Sequence, residues 1–204
     1  MVVGSRSMMP TMTHALSRRV DLATIVAEFY PGSTLTNSPI GRFEEVRGDD
    51  LPPDAAELLD HDHHMTVTLE RFYRHPVRVV VDRQHFDDGL YCREITLTVP
   101  GDVEGGSDSA AADRTVLYGL VCLDSSTLNP PLFDAIRRGE TPLGRILIDA
   151  DVLRTVERKR LWRITAGPTL GRTAGVAPGA AVYGRTALIR FDTRPAIELL
   201  EVVV

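Results

Sequence analysis

Positive charge is in short supply: 23 lysines and arginines stand against 28 acidic residues, a formal net charge of −5 at neutral pH. A chain that grips nucleic acid through its phosphates needs a basic surplus, and none exists here. Cysteine is scarce as well. Cys92 and Cys122 are the only two, they are far apart, and neither a disulfide framework nor a zinc ribbon can be built from them by spacing. No apolar run reaches the ~18–20 residues that cross a bilayer as a helix. The opening MVVGSRSMMPTMTHALSRR holds no uninterrupted apolar stretch of the kind a secretory signal carries. Together these absences point to a soluble, cytoplasmic protein with neither nucleic acid nor membrane as partner; a monomer or a homodimer is expected.

What is present is ordinary for a folded domain. The 204 residues are 43% hydrophobic and 25% charged, enough for one core that holds without staples. Residues 1–18 read as a flexible leader and 19–204 as a single domain. Leu22, Ile25, Val26 and Phe29 follow helical spacing, and Pro31-Gly32 stops the run. A loop over 32–41 and a short helix over Asp54–Leu59 follow. Period-two alternation then predicts strands at Met65–Leu69, Val77–Val81 and, most clearly, Tyr91–Val99, with a turn at Asp87-Asp88-Gly89. A polar hairpin loop (101–113) leads into a strand over Arg114–Leu123. Helices are expected from Pro131 to Arg138, ended by Gly139, and within TPLGRIL (141–147). Arg154–Ile164 is expected as a strand, 166–181 as a long loop, and Val182–Phe191 with Ala196–Val204 as a closing hairpin. A helix followed by hairpin-linked strands predicts an α+β fold built on an antiparallel sheet.

Two strands carry charge where apolar residues should be. In Tyr91–Val99, Arg93 shares a face with Tyr91, Ile95, Leu97 and Val99. A guanidinium keeps its charge, so its burial calls for an anion, from the protein or from a ligand. In the last strand Glu198 and Glu201 lie on opposite faces, both rich in aliphatic residues. Burial of one would raise its pKa toward the range of a general acid, and periodicity alone leaves open which one.

Other features read as structural. The run Asp60-His61-Asp62-His63-His64 lies between a short helix and a strand, where a solvated loop is the simpler reading than a metal site. The basic run Arg154, Arg158, Lys159, Arg160 and Arg163 reads as a solvated strand face. Cys92 and Cys122 read as small hydrophobes.

The segments LYCREITL (90–97), YGLVCLDSSTLNPPL (118–132), GETPLGRIL (139–147), YGRTALIRF (183–191) and RPAIELLEVV (194–203), with a weaker GSTLT (32–36), resemble the chorismate pyruvate-lyase family in content and order. The resemblance implies a highly twisted antiparallel sheet with flanking helices enclosing an internal small-molecule site. It implies elimination of pyruvate from chorismate to give 4-hydroxybenzoate, driven by aromatisation, with no metal or organic cofactor. On this resemblance the substrate-binding arginine is Arg93, the site glycine Gly119 and the leucine of the PLG turn Leu143. The acidic residue is Glu201, with one extra residue allowed after Pro195, and an early hydrophobic wall is Leu35. Arg93 and Glu201 would be catalytic, Glu201 handling the proton. Arg185, in YGR, is expected to assist with the second carboxylate. Leu120 stands where the family can have an arginine, and the loops at 101–113 and 166–181 are longer than in compact lyases. Two further readings follow from the same fold: a ligand-sensing domain without catalysis, and a lyase acting on another chorismate-like carboxylate.

Overall fold

A computed structural model describes residues 21–101 and 112–204. The leader, and all but the ends of the loop expected at 101–113, lie outside the described residues. Seven strands are seen among them: β1 (Gly41–Val46), β2 (Arg78–Asp87), β3 (Leu90–Val99), β4 (Arg114–Asp124), β5 (Arg154–Ala166), β6 (Ala181–Phe191) and β7 (Arg194–Val203). They form one sheet in the order β1-β5-β6-β7-β4-β3-β2, and every pairing is antiparallel. Six α-helices accompany it: α1 (Leu22–Phe29), α2 (Pro53–Leu59), α3 (Met65–Tyr73), α4 (Pro130–Arg138), α5 (Leu143–Asp149) and α6 (Pro168–Ala174). The fold is α+β, as the sequence pattern predicts.

Both faces of the sheet are covered. On one, Leu58, Leu69, Ile136 and Leu147 from α2, α3, α4 and α5 pack with Ile95, Leu117 and Leu199 of the central strands. On the other, Ile25, Val26 and Leu170 from α1 and α6 pack with Tyr118, Leu120 and Leu200. Every residue of β3 is therefore buried, polar positions included. The alternation that set Arg93 apart sorts residues between two interiors rather than between core and water.

The hairpins close as their turn residues require. Asp88 (φ 42°) with Gly89 (φ 83°), and Asp192 (φ 47°) with Thr193 (φ 71°), occupy the left-handed region that two-residue hairpin loops need. The α1 helix starts where Asp21 caps it, its carboxylate accepting from the Ala23 N–H at 3.1 Å.

Three expectations change. Met65–Leu69 is not a strand but the first turns of α3. Five residues of M-T-V-T-L fit either period, and the buried set Met65, Thr66 and Leu69 follows the helical one. The long loop at 166–181 contains α6, which has Pro168 in its first turn and Gly175 (φ 69°) just past its end. The strand expected at Val77–Val81 continues to Asp87 as the sheet's edge, its outer half exposed and polar and so without an apolar signal.

Candidate functional site

Register brings the chemistry together. Ile95 on β3 pairs with Gly119 on β4, Gly119 with Glu201 on β7, and Glu201 with Arg185 on β6. Directly opposed residues of antiparallel strands project to the same face. The four therefore form a row across the sheet's centre, beneath the helices α2, α3 and α5. Between row and helices lies a pocket lined by Gly119, Leu143, Arg185 and Glu201, with His64 and Thr66 on the helical side and aliphatic side chains for most of the remainder. Its cavity volume is about 40 Å³, room for a few water molecules. At Gly119 a Cβ would stand 3.2 Å from the Ile95 side chain and 3.4 Å from that of Leu117. Glycine there keeps the floor of the pocket open.

Arg185 is fully enclosed and fully engaged. Its Nε donates to Glu201 Oε2 at 2.7 Å, its Nη1 to the His61 carbonyl at 2.7 Å and its Nη2 to the His63 carbonyl at 3.0 Å. Arg185 thus holds the loop before α3 over the cavity. The same loop is tied to β5. Arg154 Nε lies 2.6 Å from His64 Nε2, Arg158 Nε lies 3.0 Å from Asp60 Oδ1, and the Arg158 N–H donates to Asp62 at 2.7 Å. The basic run is therefore less a solvated face than a set of anchors. Arg160 and Arg163 likewise pair with Glu45 and Glu44 of β1.

Sequence reasoning discounted the histidine loop as a metal site and missed that it roofs the cavity. The ring nitrogens facing Arg185 and Arg154 are engaged by those arginines, and His61 and His63 stack at 5.5 Å between ring centroids. Burial, with the nearby Arg185, pushes His61 down to about 4. Burial, with Arg154 and then Arg185, does the same to His64. Both rings are neutral near pH 7. A signal was available in the length of the run itself: five polar residues held between α2 and α3, which pack side by side.

Arg93 lies on the cavity's side of the sheet, one pleat along from Ile95, paired with the wall residue Val121. It is not itself part of the cavity lining. Its side chain is completely buried; Nη1 donates to the Ile136 carbonyl at 3.0 Å, while Nε and Nη2 have no hydrogen-bond partner. No carboxylate pairs with it among the described residues. Burial pushes even this guanidinium downward, with Tyr91 nearby working the other way.

The two glutamates lie on opposite sides of the sheet. Glu201 lines the cavity. Glu198 pairs with Cys122 on the opposite face, where burial and then the charge of Asp21 push it up to about 7. The carboxyl in the range of a neutral-pH acid is thus the one away from the cavity. Leu35 is a correction. It packs against the α1–α6 side of the sheet with Tyr30 and Val176 rather than in the cavity, because its carbonyl, accepting from the Phe43 N–H at 2.9 Å, holds the loop against β1 at the far edge.

No family model matches the chain, and no curated protein sequence matches it. Solved structures similar to it include YydK of Bacillus subtilis, described as a possible transcriptional regulator (TM-score 0.43, 9% identity, over 64% of this chain and 59% of that one). Another is the ligand-binding domain of a protein described as a GntR-family regulator from Bordetella bronchiseptica (TM-score 0.38, 13% identity, 63% of this chain and 90% of that one). A third is the C-terminal domain of YurK from Bacillus subtilis (TM-score 0.34, 13% identity, 54% and 71%). This chain spans less than two thirds of the length of YydK.

Proposed function

We propose that the cavity between the sheet and the helices α3 and α5 binds a small ring-bearing carboxylate. The observation that carries this reading is Arg93: a wholly buried guanidinium with two free nitrogens beside an apolar-walled pocket. A buried cation without a counter-charge costs several kcal/mol, about as much as a bidentate carboxylate would recover. Gly119 lets a planar ligand approach the sheet, and Leu143 supplies an apolar wall. With only about 40 Å³ open, the histidine loop and α3 shift outward to admit a ring.

Binding, rather than turnover, is the reading the arrangement favours. Glu201 accepts a hydrogen bond from Arg185, which ties up a carboxyl oxygen that proton transfer would use. A proton-transfer role would need that pair rearranged by the substrate. The second reading is a chorismate lyase, in which Arg93 holds one carboxylate and Glu201 protonates the leaving enolpyruvyl group. It is favoured by the convergence on one cavity of Gly119, Leu143 and Glu201, three positions that the sequence resemblance picks out, together with Arg185.

One experiment separates them. The protein is incubated with chorismate while 4-hydroxybenzoate and pyruvate are followed, and chorismate and 4-hydroxybenzoate are titrated calorimetrically, with Arg93→Ala and Glu201→Gln in parallel. Binding that is lost in Arg93→Ala, without products, establishes a ligand-binding domain. Equimolar products, lost in both variants, establish the lyase. Neither binding nor turnover with any carboxylate tried would overturn the proposal.

A further inference from the structure

The face of the sheet away from the cavity carries a second row of chemistry-bearing residues. His85 on β2 pairs with Cys92 on β3, Cys92 with Cys122 on β4, and Cys122 with Glu198 on β7. Being directly opposed, the four side chains project to one face across four adjacent strands. The α1 helix lies over them and contributes Glu28, whose Oε2 is 3.8 Å from His85 Nε2. Ligand atoms of Glu28, His85 and Cys92 all lie within 4.8 Å of one another, and the Cys92 and Cys122 Sγ atoms are 2.8 Å apart.

We propose that Glu28, His85, Cys92 and Cys122 form a tetrahedral site for a zinc-class divalent cation. Bonds of about 2.0–2.3 Å place the ligand atoms of such a site roughly 3.3–3.8 Å apart. Within Glu28, His85 and Cys92 the ligand atoms, none more than 4.8 Å from another, lie within about 1 Å of that range, and Cys122, whose sulfur is 2.8 Å from that of Cys92, completes the shell by turning toward the same centre. Two thiolates, an imidazole and a carboxylate suit a borderline-soft ion over calcium or magnesium. On binding, the two thiol protons pass to solvent and the sulfur lone pairs bond the cation; nothing is oxidised or reduced.

The surroundings fit. Both sulfurs are buried, while Glu28 and His85 are partly open and leave the ion a path from solvent. The edge of the His85 ring against Phe29, with centroids 5.5 Å apart, fixes its orientation. Next along the row, the buried Glu198 Oε1 has no hydrogen-bond partner, and a cation beside Cys122 gives that oxygen a counter-charge. Four protein ligands fill a tetrahedral shell, so the site is structural: it would staple α1 and the edge strand β2 to the centre of the sheet. The ligands come from four separate elements, which is why no local spacing announces them.

The test uses the full chain, reduced and metal-free, titrated with cobalt(II) alone and then with zinc(II). The expected result is one cobalt per chain with intense sulfur-to-cobalt charge-transfer absorption, displacement by zinc, and a melting temperature that rises with zinc. His85→Ala and Glu28→Ala, at positions open enough to preserve folding, should weaken binding at least about tenfold while leaving the metal-free melting temperature unchanged. Cys92→Ser should cut the charge-transfer intensity. Absence of the charge-transfer band, cobalt binding indifferent to His85→Ala, or a Cys92–Cys122 disulfide persisting under reducing conditions would overturn the proposal.

Discussion

Arg185 and Glu201 face each other across β6 and β7 with Nε 2.7 Å from Oε2, and the remaining donors of the guanidinium hold the backbone of the loop that closes the cavity. One side chain therefore couples the floor of the pocket to its roof. Replacing Arg185 with methionine leaves Glu201 without its cation and two loop carbonyls without donors. The expected loss of stability is about 3 kcal/mol or more, read from urea unfolding. The loop at 61–63 should also exchange its amide hydrogens faster. Glu201→Gln strands the buried Arg185 without its counter-charge and should also destabilise, but it keeps the donors to the His61 and His63 carbonyls, so exchange at 61–63 should stay slow. Equally fast exchange at 61–63 in the two variants would contradict the coupling.

Arg93 predicts the opposite behaviour. It has no carboxylate partner among the described residues, and its one acceptor, the Ile136 carbonyl, also receives the Gly139 N–H at 3.2 Å. Arg93→Met exchanges a desolvated charge for an apolar side chain in an apolar setting. Stability should be unchanged or higher by up to about 3 kcal/mol, while affinity for a carboxylate ligand falls at least about tenfold, the worth of a charge-assisted hydrogen bond. A variant that is both less stable and equally good at binding would show that Arg93 is structural.

Much of this was legible in the sequence, for a physical reason: the strands that build the site are the ones with strong period-two patterns. In β3 and β7 the alternation put Arg93 on one face and split Glu198 from Glu201, and the sheet's register did the rest. What stayed hidden was what covers each face. Periodicity cannot say that both faces of β3 are buried, so it cannot say that the face with Cys92 and Glu94 is also an interior. There Glu94 accepts from Tyr30 at 2.6 Å and Tyr118 at 2.5 Å and pairs with Arg83. Short amphipathic pieces such as Met65–Leu69 satisfy two periods at once, and only the packing of α3 against α5 decides. Leu35 shows the limit of placing a loop residue by likeness alone.

The roof should loosen in mild acid. His61 and His64 have pKa values near 4 in the folded chain against 6.5 for the ordinary side chain. Between those values the unfolded state binds more protons, so stability rises with pH there and is lost as pH falls from about 6.5 toward 4. Glu198, pushed up to about 7, works in the reverse sense between its ordinary value and 7, partly masking the histidines in the intact protein. His64→Asn isolates them. Urea midpoints measured at pH 7, 6, 5 and 4 should fall less steeply in that variant than in the parent. Parallel profiles would mean that His64 is not protonated on unfolding in this range.

The helical roof also depends on close approach between α3 and α5. A Cβ on Gly144 would stand 2.6 Å from Thr66 Oγ1 and 3.0 Å from Thr66 Cβ, and both residues line the cavity. In an isolated helix Gly→Ala stabilises by up to about 1 kcal/mol. Here the added methyl has nowhere to go, and overpacking costs about 1–3 kcal/mol. Gly144→Ala should therefore destabilise, and it should weaken ligand binding by pushing α3 away from the sheet. Thr66→Ala removes the nearer of the two clashing atoms and should recover part of the loss, so that the double variant is more stable than the sum of the single changes implies. Additive losses would show that the two helices do not meet at these residues.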